Sequence, residues 1–306
     1  MAFLYFLASI RNPLLDYLML GITYIGTPFV IVGVIFWFYL NEDKEEAFGM
    51  LFAFCYSCLL CQGIKILVRI PRPWNLDTSF SCVQAALSGA TGYSFPSIHA
   101  QAVTSFFVSL STQRKSKTVR IISVIGIALV AFSRMYLGCH TPLDVGTGFA
   151  ASFGVTLIVW FIWNRHHRSF EEDNLLPLYL VVFAIFLTVL ATAFLWNGTI
   201  DFDKAKDSFE TAGLSVGFAA ACLVEHRRIR FSVSGSLWKK ILRFVIGIAG
   251  ALALSAVLKK ISATSAAVVF IRYALMGLWV TVCTPLIAIR TGLMTTARKQ
   301  QRLPKI

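Results

Sequence analysis

Polar residues interrupt the apolar runs of this chain at three places, and the residue types at each could handle a phosphate. The first is Lys65-Ile-Leu-Val-Arg-Ile-Pro-Arg72-Pro73. Lys65 and Arg72 stand seven apart, which on a continuous helix sets them on nearly one face, and Pro71 and Pro73 end such a helix. Alone, the pair also fits cations that snorkel at a helix end. The second is Tyr93-Ser-Phe-Pro-Ser97-Ile-His99-Ala100, where proline, then serine and histidine, open a helix. A helix start offers free N–H groups and partial positive charge to an anion; a capping Ser97 and an interfacial His99 are the plainer account. The third is Ser133-Arg134-Met-Tyr-Leu-Gly-Cys-His140-Thr-Pro-Leu-Asp144. Asp144, one turn into a helix starting near Pro142, can accept from one imidazole nitrogen of His140 and leave the other free as a nucleophile. Thr141 and Asp144 also fit a capping box, and both roles can coexist.

Lys65, Arg72, Arg134 and a helix start suit the charge of a phosphoryl group and of its transition state. Two histidines and an aspartate could bind zinc, but three cations beside them would repel it, so no metal is expected. A Ser-His-Asp hydrolase is disfavoured as well. Ser97 has no G-x-S-x-G turn, and the cations would serve no purpose in ester cleavage.

The elements that must position these residues are membrane helices. The 306 residues are 57% hydrophobic and 14% charged, and apolar runs near 20 residues recur along the whole length. The expected fold is all-α, a polytopic bundle of about nine transmembrane helices at 17–40, 47–69, 98–112, 119–138, 142–163, 177–196, 209–224, 241–258 and 266–289. Alternating loops then put 18 of the 28 Lys and Arg on one side, which marks that side as cytoplasmic. Such basic loops account for the +13 charge without nucleic acid. On this count Lys65, Arg72, His99, Arg134 and His140 come from four helix ends on the outer face. The expected location is the plasma or inner membrane with the site facing outside or the periplasm, or an organelle lumen in a eukaryote.

Three divisions follow: an interfacial amphipathic helix at 1–16, a catalytic core at 17–165, and further helices with a basic cytoplasmic tail at 166–306. The opening residues lack the basic start of a signal peptide, and Arg11 and Asp16 interrupt their apolar run. The one long outer loop, about 70–97, reads as turns rather than helix. Cys55, Cys58 and Cys61 read as small apolar helix residues, and a Cys82–Cys139 bridge stays open. Asn197-Gly-Thr199 is a glycosylation acceptor in a eukaryote and an ordinary turn otherwise. Glu210, Glu225 and His226 near the ends of the seventh helix are explained by solvation and packing.

Lys65-x6-Arg72-Pro73, Pro96-Ser97-x-His99 and Ser133-Arg134-x5-His140-x3-Asp144 together resemble the three-part signature of the type 2 phosphatidic acid phosphatase (PAP2) superfamily. The resemblance covers about residues 60–150. Tyr93–Ala100 and Ser133–Asp144 look most like the sphingosine-1-phosphate phosphatase branch, while the nine-helix layout and Arg72-Pro73-Trp74 are similar to glucose-6-phosphatase. The second part usually reads Pro-Ser-Gly-His; here Ile98 replaces the glycine, which keeps the backbone N–H but loses conformational freedom. The resemblance implies that His140 attacks phosphorus, Asp144 orients it, and His99 serves as acid and then base. It also implies that Lys65, Arg72, Ser97, Ile98, His99 and Arg134 bind the phosphate. No cofactor or metal is implied.

The leading expectation is hydrolysis of a lipid phosphomonoester, such as a long-chain base phosphate or phosphatidate. A prenyl pyrophosphate such as the undecaprenyl carrier follows, then a sugar phosphate. A transporter or binding protein with an anion site is the reading from a different class. The bilayer and a phosphorylated lipid are the expected partners, and a homo-oligomer is compatible with the sequence.

Overall fold

Prolines and short polar caps punctuate the chain into helices. The computed structural model describes residues 1–166, 175–262 and 264–296. Helices α1 (Ala2–Ser9) and α2 (Pro13–Ile25) are separated by Asn12, whose side chain accepts from the Leu15 N–H. Helix α3 is Pro28–Asn41, and Asp43 caps α4, Lys44–Val68, by accepting from the N–H groups of Glu45 and Glu46. After a loop holding only the short α5 (Pro73–Leu76) and a 3-10 turn come α6 (Ile98–Arg114), α7 (Lys117–Tyr136), α8 (Pro142–His166) and α9 (Leu175–Trp196). The last third holds α10 (Phe202–Val224), α11 (Leu237–Ile261), α12 (Ala266–Leu278) and α13 (Thr284–Arg290). Two-residue strands at Phe231–Ser232 and Thr295–Thr296 pair antiparallel. Arg168 and the basic residues from Arg298 onward lie outside the described residues.

The expectation of about nine spans is corrected. Among the described residues six helical stretches are long and apolar enough to cross a membrane: Lys44–Leu76, α7, α8, α9, α11 and Ala266–Arg290. Stretch 17–40 is not one helix, because α2 and α3 meet at 46° around Gly26-Thr27-Pro28; counted as one broken span it makes seven. The expected spans at 98–112 and 209–224 drop out for a physical reason. Helix α6 is enclosed by α4, α7 and α8, so protein rather than lipid selects its Gln, Ser and Thr side chains. Helix α10 carries Asp203, Lys204, Lys206, Asp207 and Glu210 in its first turns. The assignment of loops to two sides by counting nine crossings falls with that count.

Helix α4 is the axis of the bundle: 61% of its apolar stretch is buried, against 17% for α11. The outer helices instead present Ile122, Val124, Phe161, Phe186 and Val257 outward, as lipid-facing surfaces do. Helices α10 and α12 touch through backbone. A Cβ on Gly213 would lie 2.2 Å from the Phe270 carbonyl oxygen, and one on Gly217 would lie 2.1 Å from that of Ala274. The Gly213-x-x-x-Gly217 spacing is the small-residue pattern that allows such close approach.

Candidate active site

The two ring nitrogens of His140 have different neighbours. The imidazole is 2% exposed, just before α8. Its Nε2 lies 2.9 Å from Arg72 Nη1, and since a guanidinium can only donate, Nε2 is the acceptor there. Its Nδ1 lies 3.7 Å from Asp144 Oδ2 and 3.4 Å from Ser94 Oγ. Ser94 in turn donates to Asp144 Oδ2 at 2.6 Å. The expected direct hydrogen bond from His140 Nδ1–H to Asp144 is therefore long, and Ser94 stands between them. Asp144 also accepts from the Thr141 N–H at 2.7 Å, while Thr141 Oγ1 accepts from the Asp144 N–H at 3.3 Å. The reciprocal cap and the histidine partner coexist.

The cations reach this point from separate elements. Helix α4 ends at Val68 and Arg69 turns left-handed (φ 56°), so Lys65 and Arg72 do not share one helix as their spacing suggested. Arg72 is held by carbonyls instead: Nε donates to Gly92, Nη1 to Cys139 and Nη2 to Thr91. Lys65, 2% exposed, donates to the Tyr93 carbonyl at 2.9 Å. Arg134 is different. It is 1% exposed, its Nη1 donates to Thr23 Oγ1 at 3.1 Å, and its Nε and Nη2 have no partner. Buried donors left without a partner are costly unless something else satisfies them.

The second motif is locked onto α8. The Ser97 N–H donates to the Asp144 carbonyl at 3.0 Å, and Ser97 Oγ caps α6 at the Ala100 N–H. A Cβ on Gly148 would sit 2.5 Å from the Ser97 oxygen, so only glycine permits this approach. Ile98 is the first residue of α6 with an ordinary helical backbone, which is why a branched residue fits where the resembling family has glycine. Burial first, then Arg72, Arg134 and Lys65, holds the His140 imidazole well below its ordinary pKa range. Burial and Arg134, then His140, Arg72 and Lys65, do the same to His99. Both rings are neutral near pH 7 before an anion arrives.

A cavity of about 550 Å³ connects to these residues. Lys65, Arg72, His99 and His140 line one end, and the cavity then follows α4 along Gln62, Cys58, Cys55, Leu51 and Phe48. The seventeen residues from Lys65 back to Phe48 correspond to roughly 25 Å of helix at 1.5 Å per residue. The far walls are α3, α10, α11 and α12. No group of three or more His, Cys, Asp or Glu among the described residues is placed to hold a metal ion. Cys82 and Cys139 are free thiols, so the bridge left open between them is not formed.

The PAP2 superfamily profile matches residues 46–168, and the profile for the PAP2 superfamily phosphatase transmembrane extension matches residues 209–298. The chain has the PAP2-superfamily membrane phosphatase fold. Both PAP2 segments contribute walls to the cavity, the first through α4 and the second through α10 to α12. Among curated relatives, an undecaprenyl-diphosphatase of Sulfolobus acidocaldarius is 28% identical over 42% of this chain and 58% of its own length. Sphingosine-1-phosphate phosphatase 1 of Rattus norvegicus is 27% identical over 70% of this chain and 50% of its own length. Phosphatidylglycerophosphatase B of Bacillus subtilis is 29% identical over 46% of this chain and 71% of its own length. The chain thus spans about half the length of the first two relatives, and no one PAP2 branch is singled out. No solved structure matches.

The sequence missed Ser94, Thr23, Gly148 and Arg11. Arg11 donates to the Tyr136 and Ser81 carbonyls and ties the amino-terminal segment to the PAP2 site loop. Ser94 sits within the second motif, where its hydroxyl was readable as a second partner for Asp144. Thr23 and Arg11 gave no signal, since their partners lie 111 and 125 residues away.

Proposed function

We propose that this protein hydrolyses the phosphomonoester of a membrane lipid through a phosphohistidine at His140. The observation that carries the lipid reading is the cavity, whose polar end is lined by Lys65, Arg72, Ile98, His99 and His140 and whose long remainder is mostly apolar. A pocket of this volume and lining suits an amphiphile more than a free sugar phosphate.

The chemistry runs in two balanced steps. His140 Nε2 attacks phosphorus as the P–O bond to the alcohol breaks, and His99 supplies the proton the departing alkoxide needs. His99 then takes a proton from water, the hydroxide attacks phosphorus, and the N–P bond breaks to return neutral His140 and inorganic phosphate. Lys65, Arg72, Arg134, the Ser97 hydroxyl and the N–H groups of Ile98 and His99 hold the oxygens. An arriving phosphate oxygen competes for the Arg72 N–H now on Nε2, which frees that lone pair for attack. Asp144, through Ser94 and directly, steadies Nδ1–H and the positive charge that builds on the ring. His99 begins unprotonated, so the incoming phosphate dianion must raise its affinity for the proton it later donates.

The site end is read as facing away from the cytoplasm. Helix α4 runs toward it and α8 away from it, so Lys44, the Arg114–Arg120 turn and Arg165 gather at the opposite end. That basic end fits the cytoplasmic side.

Long-chain and water-soluble phosphomonoesters, assayed side by side in detergent for phosphate release, test the reading. Turnover of the lipids should exceed that of glucose 6-phosphate. Fast sugar phosphate hydrolysis with none of lipid overturns it. A lipid pyrophosphate in the same panel tests the undecaprenyl-type alternative.

A further inference from the structure

Helix α2 is largely apolar, yet its one buried residue is polar. Leu14, Tyr17, Leu18 and Tyr24 face outward, while Thr23 is 7% exposed. A buried hydroxyl needs a partner, which a valine of nearly the same shape would not. Here the partner is Arg134, whose Nη1 donates to Thr23 Oγ1 at 3.1 Å. Arg134 Nε and Nη2 have no hydrogen-bond partner among the described residues. Those two nitrogens direct their N–H bonds in parallel along one edge of the guanidinium, the edge that can take two oxygens of a phosphoryl group at once. The amino-terminal segment is fastened to the same end of α7. Asp16 accepts from the Tyr136 hydroxyl at 3.0 Å, and Arg11 Nε donates to the Tyr136 carbonyl at 3.0 Å. Gly26, just after α2, packs so closely that a Cβ there would collide with the Val130 side chain. Helix α2 thus runs antiparallel to the last two turns of α7. Tyr5 of α1 extends the fastening to the loop after Arg72 by donating to Asp77 Oδ2 at 2.8 Å. Residues 1–45 precede both matched PAP2 segments, so the family match assigns this part of the chain no role.

We infer that Thr23 is a positioning residue for phosphoryl transfer, supplied to the site by the amino-terminal segment. It holds Nη1 and so fixes the plane of the Arg134 guanidinium, with the Nε–Nη2 edge left for phosphate oxygens. The inference rests on the proposed role of Arg134 as a phosphate ligand and is indifferent to the alcohol that leaves. Two physical effects support it. An arginine free to turn loses rotamer freedom whenever it takes an anion, whereas one already held has lost it during folding. Placement matters as well, since a shift of about 1 Å in a reacting site can cost on the order of a hundredfold in rate. Thr23 acts through Arg134 and takes no part in the bond changes at phosphorus. Arg11, Asp16 and Gly26 in turn set where Thr23 stands.

A double-mutant cycle on the purified full-length chain is the test. The readout is phosphate release from a long-chain alkyl phosphate in detergent, or from glucose 6-phosphate if only sugar phosphates are turned over. Thr23→Val keeps the shape and removes the acceptor, and it should lower kcat/KM about tenfold. Thr23→Ser keeps the hydroxyl and should recover most of that loss. In an Arg134→Met background Thr23→Val should add little, because the side chain it positions is gone. If the two losses multiply instead, Thr23 acts through the fold rather than through Arg134, and the inference is overturned. Wild-type turnover by Thr23→Val beside an impaired Arg134→Met overturns it too, while the reading of Arg134 stands. If Arg134→Met itself keeps full activity, the phosphate role of Arg134 has failed, and the role of Thr23 with it. Should Thr23→Val not fold, Tyr136→Phe takes its place, since it loosens α2 from α7 without touching Arg134. Its smaller loss of kcat/KM should likewise vanish in the Arg134→Met background, and a loss that persists there overturns the inference.

Discussion

Arg134 and Arg243 are both buried to within 1% of completely, yet their surroundings differ. Arg243, near the start of α11, donates Nε to Asn41 Oδ1 at 2.6 Å, Nη1 to the Ser234 carbonyl at 3.3 Å and Nη2 to the Val233 carbonyl at 2.7 Å. Among the described residues Arg134 has one hydrogen-bond partner, Thr23, and two nitrogens with none. At that end Lys44 meets Glu225 at 2.8 Å and Lys240 meets Glu42 at 3.2 Å, while Asn41 Nδ2 has no hydrogen-bond partner among the described residues. Arg243 joins helices through its satisfied donors; under the proposed function, the donors left over on Arg134 are the ones an anion would take. On that reading the contrast sets a fastened end of the bundle against a working end, although leftover donors alone do not mark the latter, since Arg11 Nη2 and Arg272 Nε also lack partners among the described residues.

The largest effect should come from the working end. His140→Ala should lower phosphate release by about three orders of magnitude or more, as loss of a nucleophile does, while the thermal midpoint stays near that of the wild type. Full hydrolysis by that variant would sink the covalent mechanism. It would leave open a protein that binds anions and cleaves them by other means.

The two arginines provide the next test, because they should fail in opposite ways. Arg134→Met should cut kcat/KM by roughly two orders of magnitude, the scale of one lost transition-state donor, with little loss of stability. Arg243→Met should cost about 3 kcal/mol of stability by abandoning Asn41 and two carbonyls, with kcat of the folded fraction changed less than Arg134→Met changes it. Activity assays and denaturant titrations on both variants decide this, and swapped results would erase the distinction.

A smaller pair probes how the working end is held. Gly148→Ala puts a methyl 2.5 Å from the Ser97 oxygen, whereas a Cβ on Gly146, two residues earlier on the same helix, meets nothing within 4 Å. Gly148→Ala should cost about 1–3 kcal/mol by overpacking and lower activity through displacement of Ser97 and of the Ile98 N–H. Gly146→Ala should do neither, and equal behaviour of the two would show that the close approach is unimportant.

Sequence spacing captured the working end better than the bundle around it. Ser97 and Asp144 sit at helix starts, where a cap, a proline and the chemistry coincide within a few residues. Lys65 and Arg72 line one cavity, but not for the reason their spacing suggested, since no continuous helix joins them; backbone carbonyls 19 to 67 residues away hold Arg72. The spans were overcounted because a 20-residue window sees hydropathy but not what surrounds a helix. Helix α6 is polar since its neighbours are protein, with Gln101 donating to Ser57 and accepting from Ser152 at its carbonyl. Glu210 read as ordinary solvation, and the structure shows it lining the cavity with Asp207, three residues before it on α10, and with Gln62 of α4.

The finest test concerns charge at a distance. Burial is the first cause of the depressed His140 pKa, and Arg72, Arg134 and Lys65 add to it. A nucleophile must be neutral, so protonation of His140 in the free enzyme should reduce kcat/KM only well below its ordinary range near 6.5. Removing one neighbouring cation relieves part of the depression. In Arg134→Met the acidic limb of kcat/KM should therefore move to higher pH, on top of the lower plateau. A phosphomonoester titrates near pH 6 itself, so the comparison must use one substrate for both proteins, and the difference between the limbs then belongs to the enzyme. The same shift has a stability counterpart of defined sign. The unfolded chain binds a proton at an ordinary histidine that the folded chain refuses, so stability falls as pH drops through the unfolded value. That loss should be shallower in Arg134→Met. In Arg243→Met, far from His140, neither the limb nor the slope should move. A limb that stays in place in Arg134→Met would mean that burial alone sets the His140 pKa and that Arg134 does not act on it.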